Sequence, residues 1–255
     1  MQQLKTAQRK ALIPYIVAGD PNAATTLATL HAMVKEGADI LEIGVPFSDP
    51  MAEGPVIQKG HERALASGMS LHQVLDLVKD FRKTDDKTPI VLMGYANPIE
   101  RMGYAAFADA ASAAGVDGLL TVDIPPEEAH DLNAELKRVG IDNIFLLAPT
   151  TTDARAKHIC ELATGYLYYV SLKGVTGAGN LDTDEVRAKL TQFRGYTSLP
   201  LCVGFGIKDA ASARAISEAT DGVVVGSVLV NAMAETGEKS VAAVASIIAD
   251  IRRAI

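Results

Sequence analysis

Short apolar runs alternate with amphipathic stretches along almost the whole chain. The runs at residues 12–18, 40–45, 90–95, 118–124, 144–148, 166–172, 201–206 and 222–226 predict eight strands. Most are apolar at every position, the pattern of parallel strands covered on both faces rather than of strands with one wet face. Between them, residues 23–36, 71–82, 104–114, 126–139, 153–163, 184–193 and 209–219 carry apolar side chains at helical spacing, and 240–253 closes the chain. Strand followed by helix, repeated eight times, predicts an α/β fold of the (β/α)8 barrel type. A doubly wound open sheet is the alternative that periodicity leaves open. No linker, low-complexity tract or change of composition interrupts the pattern, so residues 1–255 read as one barrel domain.

Composition narrows the function classes. The chain has 255 residues and 48% hydrophobic residues, enough for a large core, and a formal net charge of −7. It has no basic block and no interleaving of basic and aromatic residues, which argues against a nucleic-acid or anionic-membrane surface. Neither a signal peptide nor a stretch long enough to span a bilayer is evident. Cys160 and Cys202 lie far apart without metal-ligand spacing, which fits a reduced, cytoplasmic protein. The histidines, His31, His61, His72, His130 and His158, fall on helical stretches beside polar neighbours and are expected on solvated helix faces. No zinc spacing or Ser/His/Asp order accompanies them.

Candidate chemistry begins at residues 38–58, ADILEIGVPFSDPMAEGPVIQ. Glu42 lies inside an apolar strand. Burying an ionised carboxylate costs several kcal/mol unless it is paired or hydrogen-bonded. Glu42 is therefore either a strand-end carboxylate capped by N–H groups or a lysine, or a general acid/base whose proton affinity is raised by desolvation. The strand breaks at Pro46, and the loop that follows supplies a second carboxylate, Glu53.

In a barrel, function sits on the loops after the strands. Three late loops are glycine-rich: 174–179 (GVTGAG), 204–206 (GFG) and Gly226-Ser227. Each is compatible with an ordinary turn. At consecutive late strands they favour a phosphate site, since glycine lets backbone N–H groups close on an anion and Gly226-Ser227 can open a short helix. None has the spacing of a dinucleotide fingerprint.

Several segments together resemble the alpha subunit family of tryptophan synthase: LEIGVPFSDPMAEGPVIQ (41–58), PIVLMGYANP (89–98), VDIP (122–125), YYVSLKGVTG (168–177), GFGI (204–207) and Gly226-Ser227. The resemblance covers essentially the whole chain. It implies a (β/α)8 barrel that cleaves indole-3-glycerol phosphate to indole and glyceraldehyde 3-phosphate by a retro-aldol reaction, with no metal or cofactor in this subunit. It also implies a partner, a pyridoxal-phosphate-dependent beta subunit, in an αββα assembly. Glu42 matches the proton-transferring glutamate and Glu53 the carboxylate that holds the indole nitrogen. Tyr15, Ile57, Tyr95, Leu120 and Phe205 match the apolar wall of the substrate site. Tyr168 matches a tyrosine near the catalytic glutamate, and Thr176 a loop threonine that bonds the second carboxylate. Gly177, Gly206, Gly226 and Ser227 match the phosphate cradle, and Pro46, Asp49 and Asn97 the face toward the beta subunit.

Two positions depart from the family pattern. The loop reads A-E-G-P where the family has A-D-G-P, so the carboxylate at position 53 is one methylene longer. Leu172 stands where some relatives carry Arg. Two other functions stay open: a free-standing indole-releasing lyase, and a catalytically impaired barrel that serves as an allosteric partner of a beta subunit. An indole-glycerol phosphate synthase is disfavoured because no early strand ends in lysine.

Overall fold

The computed structural model describes residues 4, 6, 7, 9–171, 183–204, 206–234 and 238–255. Eight parallel strands follow one another around the barrel in chain order: β1 (Ala11–Val17), β2 (Leu41–Gly44), β3 (Ile90–Gly94), β4 (Gly118–Thr121), β5 (Asp142–Leu147), β6 (Leu167–Val170), β7 (Leu201–Gly204) and β8 (Gly222–Val225). β8 pairs back onto β1, with Leu12 beside Val223 and Ile13 beside Val224. The sheet is closed, which decides between the two topologies that periodicity allowed.

Apart from β1 and β5, the strands are shorter than the apolar runs, chiefly because their C-terminal ends leave the ladder to become the functional loops. β5 instead starts early, at Asp142. Its first two side chains are polar, but the ladder there is made by backbone groups, with Gly118 beside Asp142.

The helices are α1 (Ala23–Lys35), α2 (Pro55–Ala66), α3 (Leu71–Arg82), α4 (Ala96–Met102), α5 (Tyr104–Ala114), α6 (His130–Val139), α7 (Asp153–Leu162), α8 (Thr183–Arg194), α9 (Ala210–Ser217), α10 (Ser227–Met233) and α11 (Glu238–Ala254). Local chemistry sets many of their ends. Asn22 accepts a hydrogen bond from the Thr25 N–H at the start of α1, and Asp209 with Ser212 forms a capping box on α9. Gly115 and Gly140 end α5 and α6 in the left-handed conformation that glycine adopts without strain. The stretch 126–139 divides into a 3-10 turn, Pro126–Glu128, and α6.

The pattern did not reveal α2 and α4. In α2, Pro55 opens the helix and Gly60, His61 and Ala64 form its buried face, so no stripe of large apolar side chains marks it. Gly60 is required there: a Cβ would lie 2.9 Å from Val230 Cγ1 and 3.2 Å from Val17 Cγ2. That close approach seats α2 directly on β1 and α10.

Two apolar layers hold the barrel. Ala11, Ile13, Ile40, Val91, Leu120 and Ile144 are among the side chains that fill its interior. A larger shell, including Leu12, Ile16, Leu41, Ile43, Leu92 and Val203, packs between strands and helices. Ion pairs fix both rims. On the side of the strand starts, the buried Asp39 accepts from the Leu12 N–H at 2.9 Å and from Arg252 at 3.0 Å. Beyond the strand ends, the fully buried Asp20 receives a two-pronged pair from Arg63 of α2, at 2.7 and 2.8 Å. This bidentate geometry anchors α2 to the loop after β1.

Candidate active site

Strand alternation decides where Glu42 points. Leu41 and Ile43 face the helices in the outer shell, while Ile40 belongs to the barrel interior, so Glu42 shares the interior side. It pairs in register with Tyr15 on β1 and Val91 on β3. Its side chain is fully buried, and neither carboxyl oxygen has a hydrogen-bond partner among the described residues. The capped or lysine-paired alternative is thereby excluded for the described residues. Burial, reinforced by the charge of Glu53, pushes the Glu42 carboxyl up to about 8. At neutral pH it is therefore an un-ionised acid, because the charged form would stand without compensation in an apolar barrel.

Glu53 is carried by the loop between β2 and α2, and burial raises its carboxyl to about 7. The loop is held at several points. The Ala52 N–H donates to the Tyr95 hydroxyl at 3.0 Å, and the Phe47 ring stacks on Tyr95 with centroids 4.9 Å apart. Gln58 Nε2 donates to the Glu53 carbonyl at 2.9 Å. The Phe47 N–H donates to His61 Nδ1 at 3.1 Å. The second carboxylate thus rides on a backbone fixed on both sides of its own position.

Tyr15 and Tyr168 reach into the same end of the barrel, and each depends on a glycine. A Cβ on Gly44 would overlap the Tyr15 hydroxyl, and one on Gly204 would overlap the Tyr168 hydroxyl. Burial drives both phenols upward, and the two carboxylates push them further. Tyr15, Glu42, Glu53 and Tyr168 therefore form one electrostatically coupled cluster. Tyr166 lies in the interior layer with a buried hydroxyl that has no hydrogen-bond partner among the described residues, and burial, then Glu42, raises its phenol as well.

Leu120 is fully buried inside the barrel and Ile57, on α2, is half-buried. Gly226 joins this wall to the end of β8: a Cβ there would sit 3.5 Å from Tyr15 Cδ1 and 3.9 Å from Ile57 Cδ1. Gly226 caps α10 and Ser227 is its exposed first residue, so the N–H groups of the first turn open beside Tyr15. Gly206 is exposed, with φ of +78°, a conformation that L side chains rarely adopt. Thr176, Gly177 and Phe205 lie outside the described residues, as does Leu172. Asp49, on the same loop as Glu53, and Asn97, on α4, are exposed, whereas Pro46 is buried. Met51 at the loop tip is 77% exposed, an unusual position for a large apolar side chain.

His61 corrects the expectation that every histidine lies on a solvated face. It is 1% exposed and bonded to the Glu53 loop, and desolvation lowers its imidazole to about 4. His61 does lie on a helix, but without the bounds of α2 its face could not be assigned, and it falls on the buried one shared with Gly60 and Ala64. Gln58 and the hydroxyl role of Tyr95 were missed for a related reason, since both act on loop backbone that sequence spacing does not locate. His31 is half-buried and stacks on Phe81 at 4.7 Å; His72 and His130 are exposed.

Known proteins resemble this chain along its whole length. A family model described as tryptophan synthase alpha chain matches residues 1–254. The tryptophan synthase alpha chain of Thioalkalivibrio sulfidiphilus (strain HL-EbGR7) is 59% identical over 257 residues, covering 100% of this chain and 97% of that protein. The crystal structure of tryptophan synthase subunit alpha from Legionella pneumophila str. Paris superposes with a TM-score of 0.92 at 45% identity, covering 99% of this chain and 95% of that one. A chain from a structural study of mutual activation in the tryptophan synthase a2b2 complex of Pyrococcus furiosus superposes with a TM-score of 0.88 at 40% identity, over 94% and 97% of the two chains. Matched by the family model over residues 1–254 and overlapping these proteins almost completely, the chain belongs to the tryptophan synthase alpha chain family.

Proposed function

We propose that Glu42 and Glu53 divide the work of the alpha reaction between them, Glu42 moving the proton and Glu53 holding the indole nitrogen. The reaction is the lyase step of tryptophan biosynthesis, cleaving indole-3-glycerol phosphate to indole and glyceraldehyde 3-phosphate. The observation that carries the assignment is the Glu42 carboxyl, fully buried in an apolar barrel with no partner for either oxygen among the described residues.

Indole cannot leave as a carbanion, so ring carbon C3 must first be protonated. Protonated Glu42 supplies that proton, giving a cation delocalised onto the ring nitrogen. The ionised Glu53 accepts the ring N–H and stabilises the charge. Glu42, now a carboxylate, takes the proton from the C3′ hydroxyl as the C3–C3′ bond breaks. The bond electrons return to the ring, the hydroxyl carbon becomes the aldehyde, and Glu42 is again protonated. One acid thus serves both steps and ends as it began. The two carboxylates titrate near 8 and 7, so Glu42 protonated and Glu53 ionised coexist around neutral pH.

Tyr15, Ile57, Tyr95, Leu120, Tyr168 and Phe205 would enclose the indole and glycerol chain. Gly177, Gly206, Gly226 and Ser227 would receive the phosphate, and Thr176 would bond Glu53. This reading requires no metal or organic cofactor in the chain, and pyridoxal phosphate belongs to the beta partner. Exposed Met51 and Asp49 on the loop after β2 and exposed Asn97 on α4 would face that partner, with Pro46 shaping the start of the loop. The chain acts with a beta subunit in an αββα assembly. Among the described residues no helix is long and apolar enough to cross a membrane, and both cysteines are free. These features suit a cytoplasmic enzyme.

The test is indole release from indole-3-glycerol phosphate by the purified chain, alone and with a beta subunit. We expect slow release alone and at least ~10-fold faster release in the complex. Equal rates with no complex by sedimentation at micromolar concentration support the free-standing lyase. No release in either state supports the impaired allosteric partner.

A further inference from the structure

His61 is a buried titratable side chain beside the site to which the reaction assigns no step. Its two ring nitrogens face groups that define its protonation. The Phe47 N–H can only donate, so His61 Nδ1, 3.1 Å away, must be unprotonated. The proton of the neutral ring is then on Nε2, which lies 3.5 Å from the Tyr15 hydroxyl oxygen. That side of the Tyr15 oxygen faces an N–H, so the tyrosine's own proton must turn elsewhere. Gly44 leaves space at the Tyr15 hydroxyl, and Tyr15 is the register partner of Glu42.

We infer that His61 is a positioning residue for this reaction: its fixed Nε2–H tautomer ties the Glu53 loop to the barrel through Phe47 and turns the Tyr15 hydroxyl proton toward the two carboxylates. The inference rests on the roles given to Glu42 and Glu53. Phe47 transmits the constraint, since its ring stacks on the Tyr95 that also accepts from Ala52, one residue before Glu53. Burial keeps the ring neutral across the working pH range. A neutral, doubly engaged imidazole is a rigid strut, whereas a charged one would lose its acceptor for Phe47.

The experiment compares His61→Phe, His61→Asn and the parent, each with a beta subunit, in steady-state indole release. His61→Phe keeps the volume and removes both nitrogens. His61→Asn keeps an acceptor near the position of Nδ1. The expected result is a ~10- to 100-fold fall in kcat for His61→Phe with KM changed less than ~3-fold, and recovery of at least ~3-fold in His61→Asn. Nitrogen-15 NMR of the histidine-labelled parent should show Nε2 protonated and Nδ1 unprotonated between pH 6 and 8. Parental kcat in a folded His61→Phe, an Asn variant no faster than the Phe variant, or the opposite tautomer would each overturn the inference. The tautomer decides the matter if His61→Phe does not fold. Glu42→Gln run in parallel separates the two readings. If it is inactive while His61→Phe is unaffected, only the present inference fails; if it is fully active, the carboxylate assignment fails.

Discussion

Glu42→Gln is expected to lower the turnover of indole release by at least ~100-fold while leaving substrate bound, the usual scale for removing a general acid/base. Glutamine matches the shape of the protonated side chain but cannot pass a proton from C3 to the C3′ oxygen in turn. The same substitution should stabilise the fold at alkaline pH. Glu42 titrates near 8 when folded and near 4.5 as an ordinary glutamate. Between those values the folded chain keeps a proton that the unfolded chain has released, so stability falls as pH rises through the window. The slope for one such group is about 1.4 kcal/mol per pH unit. Glutamine has no such term, so the melting temperature of the variant should gain on the parent steadily from pH 5 to pH 8. Steady-state assays and melting curves over that range check both outcomes. A variant with near-parental turnover, or a melting difference independent of pH, would contradict the role given to Glu42.

The second large effect is expected at Glu53, where this chain is one methylene longer than the family pattern. Aspartate and glutamate have similar intrinsic proton affinity, so reach is the variable. The loop backbone is fixed on both sides of the side chain, by the Ala52 N–H on Tyr95 and by Gln58 on the Glu53 carbonyl. It cannot easily move to follow a shorter side chain. Glu53→Asp should therefore draw the carboxylate short of the indole N–H and lower kcat by ~10- to 100-fold, the scale of an ångström of misplacement. Glu53→Ala should lose more, because the ring cation then has no counter-charge. Turnover at saturating substrate decides. A faster Asp variant means the loop is not adjusted to glutamate, and an unimpaired Ala variant removes position 53 from the chemistry.

The barrel was legible in the chain because strands buried on both faces write continuous apolar runs, and eight of them alternate with helical spacing. Glu42 stood out for the same reason, as a single charge inside such a run. Closure was not legible, since the pairing of β8 with β1 joins residues more than 200 positions apart and leaves no periodic mark. The helix from Pro55 to Ala66 was hidden because it buries a glycine, a histidine and an alanine rather than a stripe of large apolar residues. With it went His61, Gln58 and Arg63, the three side chains that fix the Glu53 loop and its neighbour. Pro46 does follow the strand, but its burial left no mark in the local sequence. Gly44, opposite Tyr15, ended its strand unremarked, and Gly204, opposite Tyr168, was read only as part of a glycine-rich loop, since both leave room for hydroxyls on adjacent strands.

The mechanism needs Glu42 to be a buried, protonated acid at neutral pH. Carbon-13 NMR of glutamate side-chain carboxyls, followed from pH 4 to pH 9 and assigned by the resonance missing from Glu42→Gln, measures this directly. The account predicts one carboxyl whose midpoint lies near 8, carried by Glu42, and a second near 7 that shifts when Glu42 is replaced. A Glu42 midpoint near the ordinary 4.5 would contradict it.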